Sequence, residues 1–268
     1  MQIANRVFVV TGAGNGIGRE VALGLARRGG RVVGIDRSQE SLRETADLVM
    51  TESGAGKFGS FTVDLTDRAH IAELPELIMK EFGQVDGLIN VAGIIQRFVP
   101  VAELEVSEIE RVMNINFWGT LLMSKAFLPL LLNRPEACIV NVSSMGAFVS
   151  VPGQGAYGAS KAAVAMLTET LYAELVDTNV AVSVVYPGAI ATNIAANSGV
   201  AAPGVDASSV GFKMTSAPEA ATEIIDAIEH GTYRVLIGSD ARNLDRMARI
   251  MPTKAITIVA KKMRKLMG

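Results

Sequence analysis

Cysteine and histidine are scarce in this chain, and each shortage excludes something. A single cysteine, Cys138, rules out any disulfide within the chain and fits a reducing compartment. It stands in the apolar run ACIVNV, where a thiol reads as a small buried hydrophobe rather than a nucleophile. The only two histidines, His70 and His230, lie far apart without ligand spacing, so no metal site is expected. Neither sign of charge is in excess. The 25 Lys and Arg face 27 Asp and Glu, which does not mark a nucleic-acid-binding chain. No apolar run reaches bilayer-spanning length. The opening stretch MQIANRVFVVTG lacks the charged, apolar and cleavage regions of a secretory signal. A soluble, cytoplasmic protein is the expectation.

Glycine and β-branched residues, in contrast, are plentiful. Hydrophobic residues make up 49% and glycines number 26, while aromatics are only 5%, which suggests strands buried on both faces and helices packed closely against them. The length of 268 residues suffices for one large α/β domain with a sizeable core. Strand-like runs recur at 6–11, 31–36, 61–64, 87–90, 138–143, 181–187 and 234–238, separated by helix-length amphipathic segments. Ser41 with Glu44, Ser107 with Glu110, and Ser216 with Glu219 fit capping boxes at helix starts. Pro218 in the last of these sits in a first helical turn, where its missing N–H costs little. The alternation predicts a single domain over 1–268, built on a mainly parallel seven-stranded sheet with helices on both faces. Residues 189–217 break the pattern. They are rich in Ala, Gly and Ser, and a connection this long reads as a substrate lid.

The first strand runs into VVTGAGNGIGREVALGLA. A strict G-x-G-x-x-G is absent, because Ile17 stands where the third glycine would be. Gly12, Asn15, Gly16, Ile17 and Gly18 still offer a tight turn before a helix whose first N–H groups are unpaired, which suits a pyrophosphate. An ordinary tight turn is the bland alternative. The second strand ends at Asp36, 18 residues beyond Gly18. A carboxylate there can accept both ribose hydroxyls and would repel a 2′-phosphate, so NAD is favoured. Arg37 beside it could attract that phosphate, which leaves NADP possible. A strand-end charge or a helix cap is the competing role for Asp36.

In QGAYGASKAAVAMLTETLYAEL, read as a helix from about 154, Tyr157 and Lys161 lie four apart on one face. A phenol titrates near ~10. A nearby ammonium lowers that value, so the tyrosine could exchange a proton with an alcohol or ketone. Thirteen residues before it, Ser144 ends a buried strand, at the edge where ligands bind in such sheets. Its hydroxyl can hydrogen-bond a substrate oxygen as charge develops there. A surface Tyr and Lys at helical spacing would be the reading if the pair stood alone.

Taken together, these residues resemble the short-chain dehydrogenase/reductase family. The matching elements are Thr11-Gly12 with Gly16-Ile17-Gly18, Asp64, Asn90-x-Ala92-Gly93, Asn116 in NINFWG, Ser144, Tyr157-x-x-x-Lys161, and Pro187-Gly188 with Thr192. They run in order from 11 to 192, and the last third matches only loosely. The resemblance implies a single-domain doubly wound Rossmann fold of the α/β class and an NAD(P)-dependent oxidoreductase acting on CH–OH groups. It implies Tyr157 as general acid/base, Ser144 as the group polarising the substrate oxygen, and Lys161 on the nicotinamide ribose. Asn116 would sit at a helix irregularity and hold a water leading to the lysine; a mid-helix Asn making a local bond is the plain alternative. Asp64 and Leu65 would contact adenine. Asn90, Ala92, Gly93, Pro187, Gly188, Ile190 and Thr192 would complete the coenzyme site, with Thr192 on the carboxamide. One departure is visible: Val91 replaces the second asparagine of the family's usual pair. Tyr-x6-Lys, the spacing of enoyl reductases of related fold, is absent, which disfavours double-bond reduction.

The residues expected around the nicotinamide are apolar: Ile94, Ile95, Met145, Val151, Ala189 and Ile190, with Val200, Phe212 and Met214 from the lid. Arg97 and Lys213 could act only singly on an acid. A lipophilic secondary alcohol or ketone is therefore the expected substrate. The tail over 252–268 is amphipathic, with Ala255, Ile258, Val259, Met263 and Leu266 on one face and lysines mostly elsewhere. Such a helix could rest on anionic lipid, pack on a neighbouring subunit or close the cleft. Packing is preferred, because the resemblance implies a homo-oligomer, a tetramer or dimer. A catalytically silent dinucleotide-binding sensor or scaffold on the same fold is the competing function. The complete Ser, Tyr, Lys and Asn set argues against it.

Overall fold

The computed structural model describes residues 1–200 and 214–267. Strands are numbered in chain order. Seven of them, β1 (Val7–Thr11), β2 (Arg31–Asp36), β3 (Phe58–Thr62), β4 (Gly87–Asn90), β5 (Ala137–Val142), β6 (Val180–Pro187) and β9 (Arg234–Ile237), form one sheet. Its order is β3-β2-β1-β4-β5-β6-β9 and every pairing is parallel. The remaining two, β7 (Ile190–Ala191) and β8 (Thr215–Ser216), pair only with each other. The described α-helices are α1 (Gly16–Arg27), α2 (Gln39–Ser53), α3 (Arg68–Phe82), α4 (Val106–Met113), α5 (Thr120–Leu132), α6 (Gly155–Leu175), α7 (Ile194–Asn197), α8 (Ala217–His230), α9 (Ser239–Ile250) and α10 (Pro252–Met267).

The β-branched runs of β1, β4 and β5 are buried throughout, as strands covered on both faces must be. On one face Val21, Ala22 and Leu25 of α1 pack with Ile224, Ile225 and Ile228 of α8. Gly24 allows that approach, since a Cβ there would lie 2.5 Å from Ile225 Cδ1. On the other face Ile71, Leu74 and Ile78 of α3 meet Met123, Phe127 and Leu131 of α5. Each such fully buried side chain contributes about 1.5–3 kcal/mol. Strand order reverses between β1 and β4, and that switch leaves a crevice at their carboxyl ends. At the opposite end the buried carboxylate of Asp86 accepts the Val7 N–H at 2.8 Å, Arg134 at 2.8 Å and Arg6 at 3.2 Å, tying β1 to β4.

Three local expectations are corrected. The third strand occupies Phe58–Thr62 rather than 61–64, because an edge strand paired only with β2 needs no continuous apolar run. Helix α2 is capped by Ser38, whose Oγ accepts the Ser41 N–H at 3.2 Å, while Glu44 turns to Arg19 instead. Helix α4 begins at Val106, after an N-cap Glu105 that makes no side-chain bond, so Ser107 is not its cap. Ser216 and Glu219 do form the expected capping box, with proline in the first turn.

Residues Val106–Leu132 run as one 27-residue helical span, long and apolar enough by length and composition to cross a membrane. Met123, Phe127 and Leu131 nevertheless face the sheet and are fully buried. One face of the span is thus part of the core, and its middle, Asn114–Gly119, widens into a π-turn. Thr120 Oγ donates to the Asn116 carbonyl at 2.8 Å, giving that carbonyl a side-chain partner.

Candidate active site

A cleft of about 350 Å³ opens at the carboxyl ends of β1 and β4. Gly12, Asn15, Gly16, Ile17 and Gly18 form its floor, and Asp36, Arg37, Asp64, Leu65, Ala92, Gly93 and Thr192 its sides. Gly12 and Gly16 have φ of +69° and +55°, conformations that L side chains rarely adopt. A Cβ at Gly18 would run into the Gly12 carbonyl. Helix α1 starts here with no side-chain cap and no acidic residue in its first turn. Its leading N–H groups and positive end therefore face the cleft uncompensated by the chain's own carboxylates, which suits a pyrophosphate. The floor fits a dinucleotide.

The adenosine end is set by two aspartates. Asp36 accepts the N–H groups of Gly14 and Ser38, both at 3.0 Å, so it serves as a turn anchor as well as a wall of the cleft. Asp64 accepts the backbone N–H and hydroxyl of Thr66 at 2.9 and 2.8 Å, which orients it beside Leu65. Arg37 donates to the Asn197 carbonyl at 2.8 Å, and Asn197 Nδ2 donates to Asn15 Oδ1 at 2.6 Å. Helix α7 is thus tied to both β2 and the glycine turn across the cleft.

The chemistry-bearing side chains Ser144, Tyr157 and Lys161 lie outside the cleft lining, and Lys161 reaches it at Gly93. Ser144, just beyond β5, is buried and its Oγ accepts the Gly146 N–H at 3.1 Å. A Cβ at Gly146 would stand 3.4 Å from that Oγ and 3.7 Å from Tyr157 Cε1, so glycine keeps the serine and tyrosine faces open to each other. Lys161 is buried, donates to the Val142 carbonyl at 2.9 Å, and lies against Gly93, where a Cβ would be 3.0 Å from Nζ. Burial pushes the Tyr157 phenol above its ordinary range, and the hydrogen bond to the Ser144 side chain works against that rise. Burial pulls the Lys161 ammonium down to about 8. The sequence suggested a phenol acidified by the lysine. Here the amine bonds the Val142 carbonyl instead, and burial dominates the phenol.

A family profile described as short chain dehydrogenase matches residues 6–201. The chain belongs to the short-chain dehydrogenase family. An oxidoreductase designated SadH from Mycobacterium tuberculosis is 34% identical over 263 residues, 95% of this chain and 94% of that one. Among solved structures, a short-chain dehydrogenase/reductase from Burkholderia phymatum in complex with NAD superposes with a TM-score of 0.83 at 26% identity, covering 97% of each chain. A short chain dehydrogenase from Burkholderia cenocepacia in complex with NADP reaches 0.80 at 28% identity, covering 97% of this chain and 99% of that one.

Several residues of this short-chain dehydrogenase stand elsewhere than the sequence suggested. Asn90 points into the core, donating to Asn141 Oδ1 at 2.8 Å and Ser124 Oγ at 3.3 Å, because β4 is flanked by β5 and α5 there. Its neighbour Val91 lines the cleft instead, and Thr11 Oγ accepts the Val91 and Ala92 N–H groups at 3.1 and 3.2 Å. Pro187, Gly188 and Ile190 lie outside the cleft lining. Gly188 is bonded to Ile237, and Ile190 is in β7 beside β8. The Asn116 amide is consumed by Ile94, at 2.8 and 2.9 Å, and by Ser160 Oγ at 2.9 Å, so it pins the strand end beside Gly93.

Of the residues expected around substrate, Ile95 is buried and its N–H donates to Ser198 Oγ at 2.9 Å. Met145 and Val151 pack with Phe148 against Leu244 and Met247 of α9 and Ala255, Val259 and Met263 of α10. Met214 is half-buried; Phe212 and Lys213 lie outside the described residues.

Two positions escaped sequence reading. Gln96, fully buried, accepts the Tyr157 N–H at 2.9 Å, donates to the Gly153 carbonyl at 3.1 Å, and receives Gln154 Nε2 on its own carbonyl at 2.9 Å. It anchors the first turn of α6 that carries the tyrosine. Its one signal was an amide inside the apolar stretch GIIQRF. Asp240, at the start of α9, accepts the Ala189 N–H at 2.7 Å, and its carboxylate fills the space where a Gly188 Cβ would stand. Nothing in its sequence neighbourhood marked it.

Proposed function

We propose that the chain is an oxidoreductase using NAD(P), with NAD favoured, that interconverts a lipophilic secondary alcohol and its ketone. The observation that carries this reading is that Lys161 lies against Gly93, which lines the glycine-floored cleft, while Tyr157, one helical turn away, is hydrogen-bonded to Ser144. When bound there, the nicotinamide supplies or takes up the hydride and is positively charged in its oxidised form. Ser144 donates its hydroxyl to the substrate oxygen and orients it. Tyr157 gives its phenolic proton to that oxygen in reduction and removes it in oxidation. Lys161, still largely cationic near neutral pH, stabilises the phenolate form once positive charge has lowered the phenol's pKa. Gln96 and Asn116 hold the tyrosine turn and the Gly93 strand end in register.

The preference for NAD rests on Asp36. Its charge stands in the wall that a 2′-phosphate would meet, while Arg37 is occupied by the Asn197 carbonyl. The lipophilic substrate class rests on Met145, Phe148 and Val151 near Ser144, in a cluster that is apolar throughout. A cytoplasmic homo-oligomer completes the reading.

The test is a panel of lipophilic alcohols and ketones with each coenzyme, followed by nicotinamide absorbance. Tyr157→Phe should lower turnover at least ~100-fold and leave coenzyme affinity within roughly twofold. A Tyr157→Phe enzyme with wild-type turnover would overturn the mechanism. A wild-type protein that binds coenzyme yet turns over nothing in the panel would point to the sensor.

A further inference from the structure

The two terminal helices carry a charge distribution unlike the rest of the chain. Eight of the 25 Lys and Arg fall within 242–265, against one acid, Asp245, so the remaining residues hold 17 bases against 26 acids. A net-negative body therefore ends in a strongly basic hairpin. Asp245 is already engaged by Arg234 at 2.6 Å and Arg249 at 3.1 Å, and Arg242 pairs with Glu223 at 2.7 Å. The charges of Arg246, Lys254 and Lys261, all exposed, are left in excess.

The same hairpin shows apolar side chains to solvent. Of the fourteen large hydrophobic residues exposed among the described ones, four lie within 250–258: Ile250 (77% exposed), Met251 (41%), Ile256 (47%) and Ile258 (40%). They are not spare core residues. The inward face of α10 is supplied by Ala255, Val259 and Met263, which pack on Val149, Phe148 and Leu244. Ile258 departs from the apolar face expected from sequence. At 100° per residue it stands about 40° from Lys254 and about 60° from Lys261, on the same exposed flank of the helix. Ile250 and Met251 form the corner between α9 and α10, next to Arg249 and Lys254. Isoleucines set among lysines on a helical surface suit a bilayer interface. There the apolar tips enter the acyl boundary and the amines reach anionic headgroups.

We propose that the outward face of the α9–α10 hairpin, with Ile250, Met251 and Ile258 as the inserted side chains and Arg246, Lys254 and Lys261 as the cationic ones, docks this protein on an anionic phospholipid bilayer. Charge complementarity selects anionic headgroups over a symmetric contact with the same hairpin of a second copy, which would bring positive charge against positive.

The test is flotation of the full-length protein with phosphatidylcholine vesicles, with and without about 30% phosphatidylglycerol. Binding is expected only to the anionic vesicles, and it should fall steeply between about 0.05 M and about 0.5 M salt. Lys254→Gln and Lys261→Gln should each weaken it roughly fivefold. Ile250→Asp with Ile258→Asp should abolish it while coenzyme binding and circular dichroism stay unchanged. Three results would each overturn the proposal: no flotation with anionic vesicles, equal flotation with neutral ones, or full retention by the double aspartate variant. So would sedimentation velocity showing a wild-type dimer that this variant dissolves, since the face would then belong to a second copy.

Discussion

The coenzyme side and the proposed substrate side of this molecule are built from different materials. The coenzyme side is backbone and short side chains: positive-φ glycines, bare helix N–H groups, and aspartates held by neighbouring amides. Little in it can be changed, because a Cβ at Gly18 meets a carbonyl and not a yielding side chain. The substrate side we propose is a packing of Met145, Phe148, Val151, Met247 and Met263, brought together from three places in the chain. Unbranched methionines fill irregular space and yield to substitution. A common coenzyme demands one geometry, whereas an individual substrate needs a wall that can be re-formed.

Substitutions on the two sides should therefore differ in kind. The largest effect is expected from Gly18→Ala, which forces the turn apart. Coenzyme affinity should drop by roughly 100-fold or more, with a stability loss of about 1–3 kcal/mol, read by nicotinamide fluorescence and urea denaturation. Gln96→Ala removes the acceptor of a buried N–H at the tyrosine's own turn. It should cost about 1–3 kcal/mol of stability and lower kcat more than it changes coenzyme affinity. If kcat stayed at the wild-type value in the folded variant, Gln96 would have no positioning role.

Lys161 gives a pH signature to the boundary between the two sides. Its folded value of about 8 lies below the ordinary 10.5. Below pH 8 the amine is protonated in both folded and unfolded chains, and the cost of burying its charge is fully present. Between the two values the unfolded chain holds more protons, so this contribution to stability rises with pH, by at most about 1.4 kcal/mol per unit. Denaturation midpoints of wild type and Lys161→Met without coenzyme, compared from pH 7 to 10, should converge as pH rises. Parallel curves would show that burial does not depress the amine. The smallest effect should come from Met263→Ala, a shift of KM of roughly twofold to fivefold among substrates with coenzyme affinity unchanged. Equal change in both constants would erase the distinction between the sides.

The glycine turn, the seven parallel strands and the Ser, Tyr and Lys positions were legible in the chain because each depends on local rules. β-branched runs form buried strands, glycines mark positive φ, and four-residue spacing shares a helix face. Asn90 was misread because its identity says nothing about which way a strand residue points; α5 and β5 decided that. The capping serines were misread by a few residues, because Ser38 and Ser41 are locally equivalent and only the turn geometry chooses.

By itself the sequence determined the class of fold and the order in which functional groups arrive at one sheet edge, since period and turn chemistry are properties of neighbours along the chain. Only the tertiary structure decided that Gln96 holds the tyrosine turn, that Asp240 supports the loop after β6, and that α10 turns Val259 inward and Ile258 outward. Those contacts join residues about 50 or more positions apart, or depend on which helix face meets the body. No local pattern encodes a partner that folding alone brings near.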